Sequence, residues 1–530
     1  MDYFLTDAFQ VRAEALIAKY RVPGLAIAIT HRERVESRAF GFARLDDGDH
    51  PPVPCTPDTL FDIASASKSM TAASVALLVE DDDKHPDVKY DAVVAKLLPG
   101  DFVMPTEELT KEVTVDDILS HRTGMPTHDW SYLGTGSQTP DTPRSVTRNL
   151  RNLPVCAPLR TKYMYNNMMY TVAVHLVQQK TGLSFADFLS ANFFQPLAMS
   201  SSSLQPSRAR ARDGFEARMA MGYTWVRASQ RQAPIPMVEC PEADGAGSII
   251  TSVNDYIKWV RALLHRTSPV TEAVYSGLVR ARTIVNPDGE RLPPRSSPAM
   301  YCAGLETDYY RSQQRVDHGG GVTGFATKQL FLPAQQFGCV ITANSGEGGH
   351  AAGTVLFREL MDEVLGVPPA ERPDWEALVD ALDTKHEPEN DPDQCEAALC
   401  KKILESLGGE KQDEYKEEKE EAKPLTTALE TYAGMYEHPG YHQLLLEIKD
   451  GSLFVDASER SFGFTGIFNH VAQQRLFTLR IAESQAWGGQ DMTAIKAEFV
   501  LQDGKVVRLG LALEPDMEDT GEEMIWFTRK

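Results

Sequence analysis

The sequence predicts an α+β protein that ends in a small antiparallel β-barrel. Two observations carry this. Residues 1–366 mix helical and strand periodicities, whereas residues 426–530 switch to short period-two runs broken by Asp-Gly turns. Between them, residues 367–425 read as an acidic linker with short helices, ending in the charge run EKQDEYKEEKEEAKP. The chain has 530 residues and 42% hydrophobic content, enough for a large core.

In the first region, Phe4, Leu5, Phe9, Ala13, Leu16 and Ile17 fall on one face of an amino-terminal helix. VPGLAIAI and RVESRAFGFA follow as two strands. SKSMTAASVALLVED is a helix that turns Ala, Val and Leu to a core, and TVDDILSHRTGMP pairs a capping threonine with a Gly/Pro stop. NMMYTVAVHLVQQKTG is a helix closed by glycine, KQLFLPAQQFGCVITANS is two strands joined by a turn, and GTVLFRELMDEVLG is a helix. VPPAERPDWEALVDAL and QCEAALCKKILESLGG form the short helices of the linker. In the last region, YAGMYEHPG, LLLEIKDGSLFVDA, RLFTLRIA, AIKAEFVLQDGKVVRLGLAL and MIWFTRK supply the strands.

A net charge of -22 and a pI near 5.1 repel phosphate backbones and anionic lipid, so neither nucleic acid nor a membrane is an expected partner. The first residues hold no basic stretch followed by an apolar run, and no stretch is long enough to span a bilayer. Seven scattered cysteines without metal-ligand spacing read as reduced thiols of a cytoplasmic protein, with no cofactor implied.

Three stretches carry chemistry. FDIASASKSM places Ser65 and Lys68 at i and i+3, one face of a helix start. The helix amino terminus and burial both disfavour a protonated lysine, and a neutral lysine can take the serine proton. KYMYNNMMY holds Tyr165 and Asn167; the tyrosine beside an ammonium can serve as a base, and the amide can hold both Lys68 and a substrate carbonyl, or the pair could simply cap the next helix. VDHGGGVTGF holds His318, Gly319, Gly320 and Gly321, a strand that a substrate backbone can approach and whose N–H groups can serve an oxyanion. A second His-x-Gly, His438-Pro439-Gly440, lacks these neighbours and reads as a turn.

S-x-x-K, then Y-x-N about a hundred residues on, then H-x-G about 150 further resembles the ordered pattern of the serine β-lactamase-like and penicillin-binding superfamily, in its class C-related branch of esterases, D-amino-acid peptidases and acyltransferases. The resemblance covers residues 1–366, and the tail is similar to the lipocalin-like barrel of some members. It implies an antiparallel sheet flanked by helices plus a helical lobe, and an acyl-enzyme on Ser65. Lys68 and Tyr165 would be general bases, Asn167 and the His318–Gly321 strand would bind substrate, and the N–H groups of Ser65 and Gly321 would form the oxyanion hole. Where β-lactamases and transpeptidases carry lysine in the third motif, this chain has His318, mostly neutral at pH 7, which weakens the case for β-lactam or peptidoglycan substrates and favours an ester, lactone or neutral acyl donor; cleavage of an ester, lactone or amide is the expected reaction. The expected function is therefore serine hydrolysis of a small-molecule acyl substrate. An acyltransferase on the same residues is the alternative, ahead of a lyase or a non-catalytic scaffold.

Overall fold

The structure is a computed structural model that describes residues 2–386, apart from 228 and 291, together with 392–408, 424–484, 489, 491–520 and 523–530. The acidic run at 410–423 lies outside the described residues. The chain divides into two compact units: residues 1–125, 141–151 and 157–379 form the first, and residues 126–140, 152–156 and 380–530 the second.

The first unit is built on a nine-stranded antiparallel sheet. Its strands are β1 (Gly24–His31), β2 (Arg34–Arg44), β3 (Val53–Pro54), β4 (Thr283–Ile284), β5 (Met300–Tyr301), β6 (Glu306–Tyr310), β7 (Gln313–Val322), β8 (Phe325–Leu332) and β9 (Phe337–Ala343). They lie in the order β3-β2-β1-β9-β8-β7-β6-β5-β4, so β1, read near the amino terminus, pairs with β2 on one side and on the other with β9, some 300 residues later. Helices α1 (Asp7–Lys19) and α6 (Glu347–Val364) cover one face: Phe9, Ala13 and Leu16 meet Leu25, Ile27, Ile29, Cys339, Ile341, Val355 and Leu356 in one core. Strand alternation leaves small residues on the opposite face, where Gly338 admits Val260 of α5 (Val253–His265) against Thr30. Of the residues assigned to the first helical face, Leu5 is 46% exposed, because Tyr3–Leu5 forms a separate 3-10 turn that points Phe4 inward instead.

The helices that carry the motifs are α2 (Lys68–Glu80), α3 (Val115–Leu119) and α4 (Met168–Thr181). α2 is buried on nearly every side, which a helix of Ala, Ser, Thr and Met permits. Thr114 caps α3 in a reciprocal box with Asp117, and Gly182 at φ +72° ends α4, both as the sequence predicts. α6 starts at Glu347, one and a half turns before the stretch read from the sequence, because the Gly-rich segment 348–353 packs closely: a Cβ at Gly349 would crowd Ala343 and Ala326.

The second unit is a closed eight-stranded antiparallel barrel: β10 (Gly434–His438), β11 (His442–Lys449), β12 (Ser452–Ala457), β13 (Phe464–Ala472), β14 (Leu476–Glu483), β15 (Asp491–Gln502), β16 (Lys505–Leu511) and β17 (Ile525–Arg529), with β17 pairing back to β10. Asp450-Gly451 and Asp503-Gly504 take positive φ in two-residue hairpins. His438-Pro439-Gly440 is indeed a turn, with the His438 ring accepting the N–H groups of Gly440 and Tyr441. The sequence reading passed over β13. Of the two linker helices, α7 (Trp375–His386) begins in the first unit, where Trp375 donates to Asp362. α8 (Pro392–Gly408) lays Ile403 on Val471, Ala472 and Leu476 of the barrel, and Glu396 accepts from Asn469 and Thr478.

A buried polar chain ties residues 126–140 and 152–156 to the barrel inside this unit. His128 Nε2 donates to Pro154 O at 2.8 Å, Nδ1 lies 2.7 Å from the Tyr441 hydroxyl, and that hydroxyl lies 2.9 Å from Glu514 Oε1. Arg460 donates to the carbonyls of Trp130, Tyr441 and Gln443.

Candidate active site

Ser65 sits in a 3-10 turn, Ala64–Ser67, that runs directly into α2. The turn is strained: Ala64 has φ +47°, a region that costs a residue with a Cβ about 1–3 kcal/mol. Buried Asp62 holds it there by accepting the Ala64 N–H at 2.8 Å. The strain leaves Ser65 half-exposed at the head of an otherwise buried helix.

Lys68 is completely buried one turn on, and its Nζ lies 2.8 Å from Asn167 Oδ1, 2.8 Å from Ala246 O and 3.0 Å from Ser65 Oγ. The two carbonyl oxygens can only accept, so they claim two N–H groups. The third tetrahedral direction points at the serine hydroxyl. A neutral lysine aims its lone pair there, and an ammonium aims its last proton there. This geometry allows a proton to pass between Ser65 and Lys68.

The Tyr165-Asn166-Asn167 stretch divides its labour. Asn166 Oδ1 accepts the Met169 N–H at 3.0 Å and so caps α4, while Asn167 makes no side-chain cap bond and turns to Lys68. Tyr165 presents its ring to the same amine, 4.7 Å from Nζ to ring centroid. The stretch is braced from α3. Buried Asp117 accepts from Arg122, and from Arg160 through two nitrogens at 2.7–2.9 Å, which holds its carboxyl below the usual carboxylate range despite burial. Met164 N–H then donates to His121 O.

β7 brings the glycine strand to the nucleophile. A Cβ at Gly320 would come within 2.1 Å of Ile63 O and 3.0 Å of Ala66 N, so only glycine lets the strand approach the Ser65 turn. Gly321 is exposed beside His350, and Gly319 has room for a side chain. His318 is buried; Nδ1 lies 2.5 Å from Gly319 O, so it carries the proton, and Nε2 accepts from the Tyr301 hydroxyl at 3.0 Å. Burial and the nearby Lys68 push its pKa down to about 4, so the ring is neutral at pH 7. Both ring nitrogens are occupied within the protein.

Sequence reasoning missed four contributors: Ala246, Tyr301, Asp62 and His121. Ala246 acts through its carbonyl, which no side-chain pattern reports. Among the described residues, no group of three or more His, Cys, Asp or Glu could hold a metal ion, and no helix is long and apolar enough to cross a membrane.

Comparison with known proteins settles the family. The Beta-lactamase family profile matches residues 9–362, most of the chain. The chain belongs to the β-lactamase family. Residues 418–529 match a domain of unknown function, DUF3471, which spans the barrel of this family member. The chain is 32% identical to "Unguisins hydrolase ungD'" of Aspergillus campestris, over 99% of this chain and 92% of that protein. It is 26% identical to a D-aminopeptidase of Brucella anthropi, over 70% of this chain and 65% of that one. Among solved structures, the octameric penicillin-binding protein homologue from Pyrococcus abyssi shares the fold at a TM-score of 0.58 and 18% identity, covering all of both chains. D-amino acid amidase from Ochrobactrum anthropi SV3 does so at 0.52 and 19%, over 67% of this chain and 99% of that one. The chain is a serine hydrolase of this family.

Proposed function

We propose that the protein hydrolyses an amide bond of a peptide-like substrate through an acyl-enzyme on Ser65. The contact of buried Lys68 Nζ with Ser65 Oγ at 3.0 Å, with Asn167 Oδ1 and Ala246 O holding the amine in place, carries this reading. Ser65 Oγ attacks the substrate carbonyl as its proton passes to Lys68. The oxyanion is received by the N–H groups of Ser65 and Gly321, each such donor being worth about 10²–10³ in rate. The C–N bond then breaks, and the leaving amine takes a proton from the Lys68–Tyr165 pair. Water attacks the ester, giving its proton to the same pair, and the carboxylic acid leaves as Ser65 regains its hydrogen. Asn167 holds Lys68 throughout, and the substrate chain lies along Gly319–Gly321.

The relatives narrow the substrate. A hydrolase of unguisins aligns with this chain from end to end, barrel included, so an unguisin is the first compound to try. The likeness to D-aminopeptidases makes a D-configured residue on the acyl side the second. The test is turnover of an unguisin, of D- and L-alanine p-nitroanilide, of p-nitrophenyl butyrate and of nitrocefin by wild type and Ser65→Ala, with intact-mass detection of the acyl adduct. Ser65→Ala should lose the adduct and at least about three decades of rate. An adduct on another serine, or nitrocefin turned over above every amide and ester, would overturn the reading.

A further inference from the structure

His121 is the feature of the first unit that this mechanism leaves unused. It is fully buried, and it holds φ +55°, a conformation that most side chains avoid. Its Nδ1 accepts the N–H of Asn166, the residue after Tyr165, at 3.1 Å. Its ring lies against the Tyr165 ring, 4.3 Å between centroids at 38°, and is boxed by Tyr301 at 4.5 Å, Tyr170 at 5.3 Å and Tyr163 at 5.8 Å. Since Nδ1 accepts, the proton sits on Nε2, a buried donor without a hydrogen-bond partner. Leaving such a donor unpaired costs about 1–3 kcal/mol, and a lysine or arginine there would bring a charge into the aromatic box beside Lys68. An apolar ring at this position would remove that unpaired donor but would leave the buried Asn166 N–H without its acceptor. What an apolar ring lacks is the Nδ1 acceptor that fixes the backbone beside Tyr165.

We infer that His121 is a positioning residue for Tyr165: one ring nitrogen pins the Asn166 backbone while the ring face sets the orientation of the phenol. The inference rests on the role proposed above for Tyr165.

The test is a double-mutant cycle on kcat and KM with p-nitrophenyl butyrate, each variant checked for folded fraction by thermal melting. His121→Phe keeps a ring but loses the acceptor; kcat should fall about a hundredfold, the cost of misplacing a reacting group by about 1 Å, with KM little changed. His121→Asn keeps an acceptor and tolerates the left-handed backbone, so it should recover part of that loss. In a Tyr165→Phe background, His121→Phe should cost nothing further, because the group it positions is gone. Independent, multiplicative losses would overturn the inference, as would wild-type kcat in a folded His121→Phe. Should His121→Phe fail to fold, His121→Asn decides: wild-type kcat there also overturns it, and a loss that vanishes in the Tyr165→Phe background supports it. Full activity in Tyr165→Phe alone would refute the role of Tyr165 itself, and the inference with it.

Discussion

Each unit of this chain buries a polar cluster, and the two are wired differently. Around Lys68, two acceptors are fixed and the third points to a half-exposed hydroxyl that can give or take a proton. Around Tyr441, the partners are supplied from inside: His128 Nε2 donates to Pro154 O, burial holds the imidazole neutral with a pKa of about 4, its Nδ1 lies 2.7 Å from the Tyr441 hydroxyl, and that hydroxyl donates to Glu514 Oε1, whose carboxyl burial pushes up to a pKa of about 7. Thr127 closes the chain by donating to Glu514 Oε2. Burial and shifted titration are common to both clusters. Only the first leaves a proton with somewhere to go, and that distinguishes a reactive site from a structural clasp.

The sharpest break of this contrast is Lys68→Ala, which removes the hub of the open cluster. Hydrolysis of p-nitrophenyl butyrate should fall by at least about three decades, comparable to Ser65→Ala and not additive with it. Asn167→Ala frees one arm of Lys68 while leaving the cap on Asn166; a loss of about one to two decades in kcat with an unchanged melting temperature is expected, and a large thermal shift would show that Asn167 is a cap after all.

His318→Lys tests electrostatics at the same site. It would bury a second cation near Lys68 and forfeit the bonds to Gly319 and Tyr301, so the expected result is lost activity and a lower melting temperature, with no gain in nitrocefin turnover. Asp117→Ala removes the carboxylate that holds Arg122 and Arg160. Both arginines keep some solvent, so the loss should be about 2–3 kcal/mol, below that of a wholly buried pair, read by denaturant unfolding of the first unit. Its folded pKa is depressed, so this stability is present above the ordinary carboxylate range and is lost as pH falls through it.

The smallest effect belongs to the clasp. Glu514 has its folded pKa raised from the ordinary 4.5 to about 7, so its contribution is complete below about 4.5 and is lost as pH rises through 7. His128 works in the opposite sense, losing its contribution as pH falls from 6.5 towards 4. The barrel should therefore be most stable between these limits. Between pH 6 and pH 8.5 the remaining Glu514 loss outweighs the small His128 gain, so the melting temperature should drop by about 1–3 °C. Glu514→Gln keeps an acceptor for the Tyr441 hydroxyl without titrating and should flatten that drop; an unchanged pH dependence would show that the titration lies elsewhere.

Much of this was legible beforehand because it is periodic or local. The strands of 22–43, the hairpin of 328–345 and the Asp-Gly turns announce themselves through alternation and turn chemistry. Ser65 and Lys68 could be paired because three residues on a helix start share a face. What escaped was non-local. Ala246 contributes a carbonyl, and any residue has one. Ala64 carries strain that its side chain does not advertise. The grouping of 126–140 and 152–156 with the barrel depends on Tyr441, Arg460 and Glu514, some 300–390 residues away, and no window of sequence sees that far.

That grouping has a consequence for how the protein is made. His128 leaves the ribosome about 390 residues before Glu514 does, and at roughly 5–20 residues per second it waits on the order of tens of seconds for its partner. During that interval residues 126–140 carry an imidazole, two tyrosine-sized aromatics and several backbone groups whose final neighbours do not yet exist. Truncating the chain before the barrel would make the wait permanent. A nascent chain stalled near residue 425 should therefore engage chaperones more strongly than one stalled after residue 530 has emerged, although the entire Ser65 turn, the glycine strand and α6 are already outside.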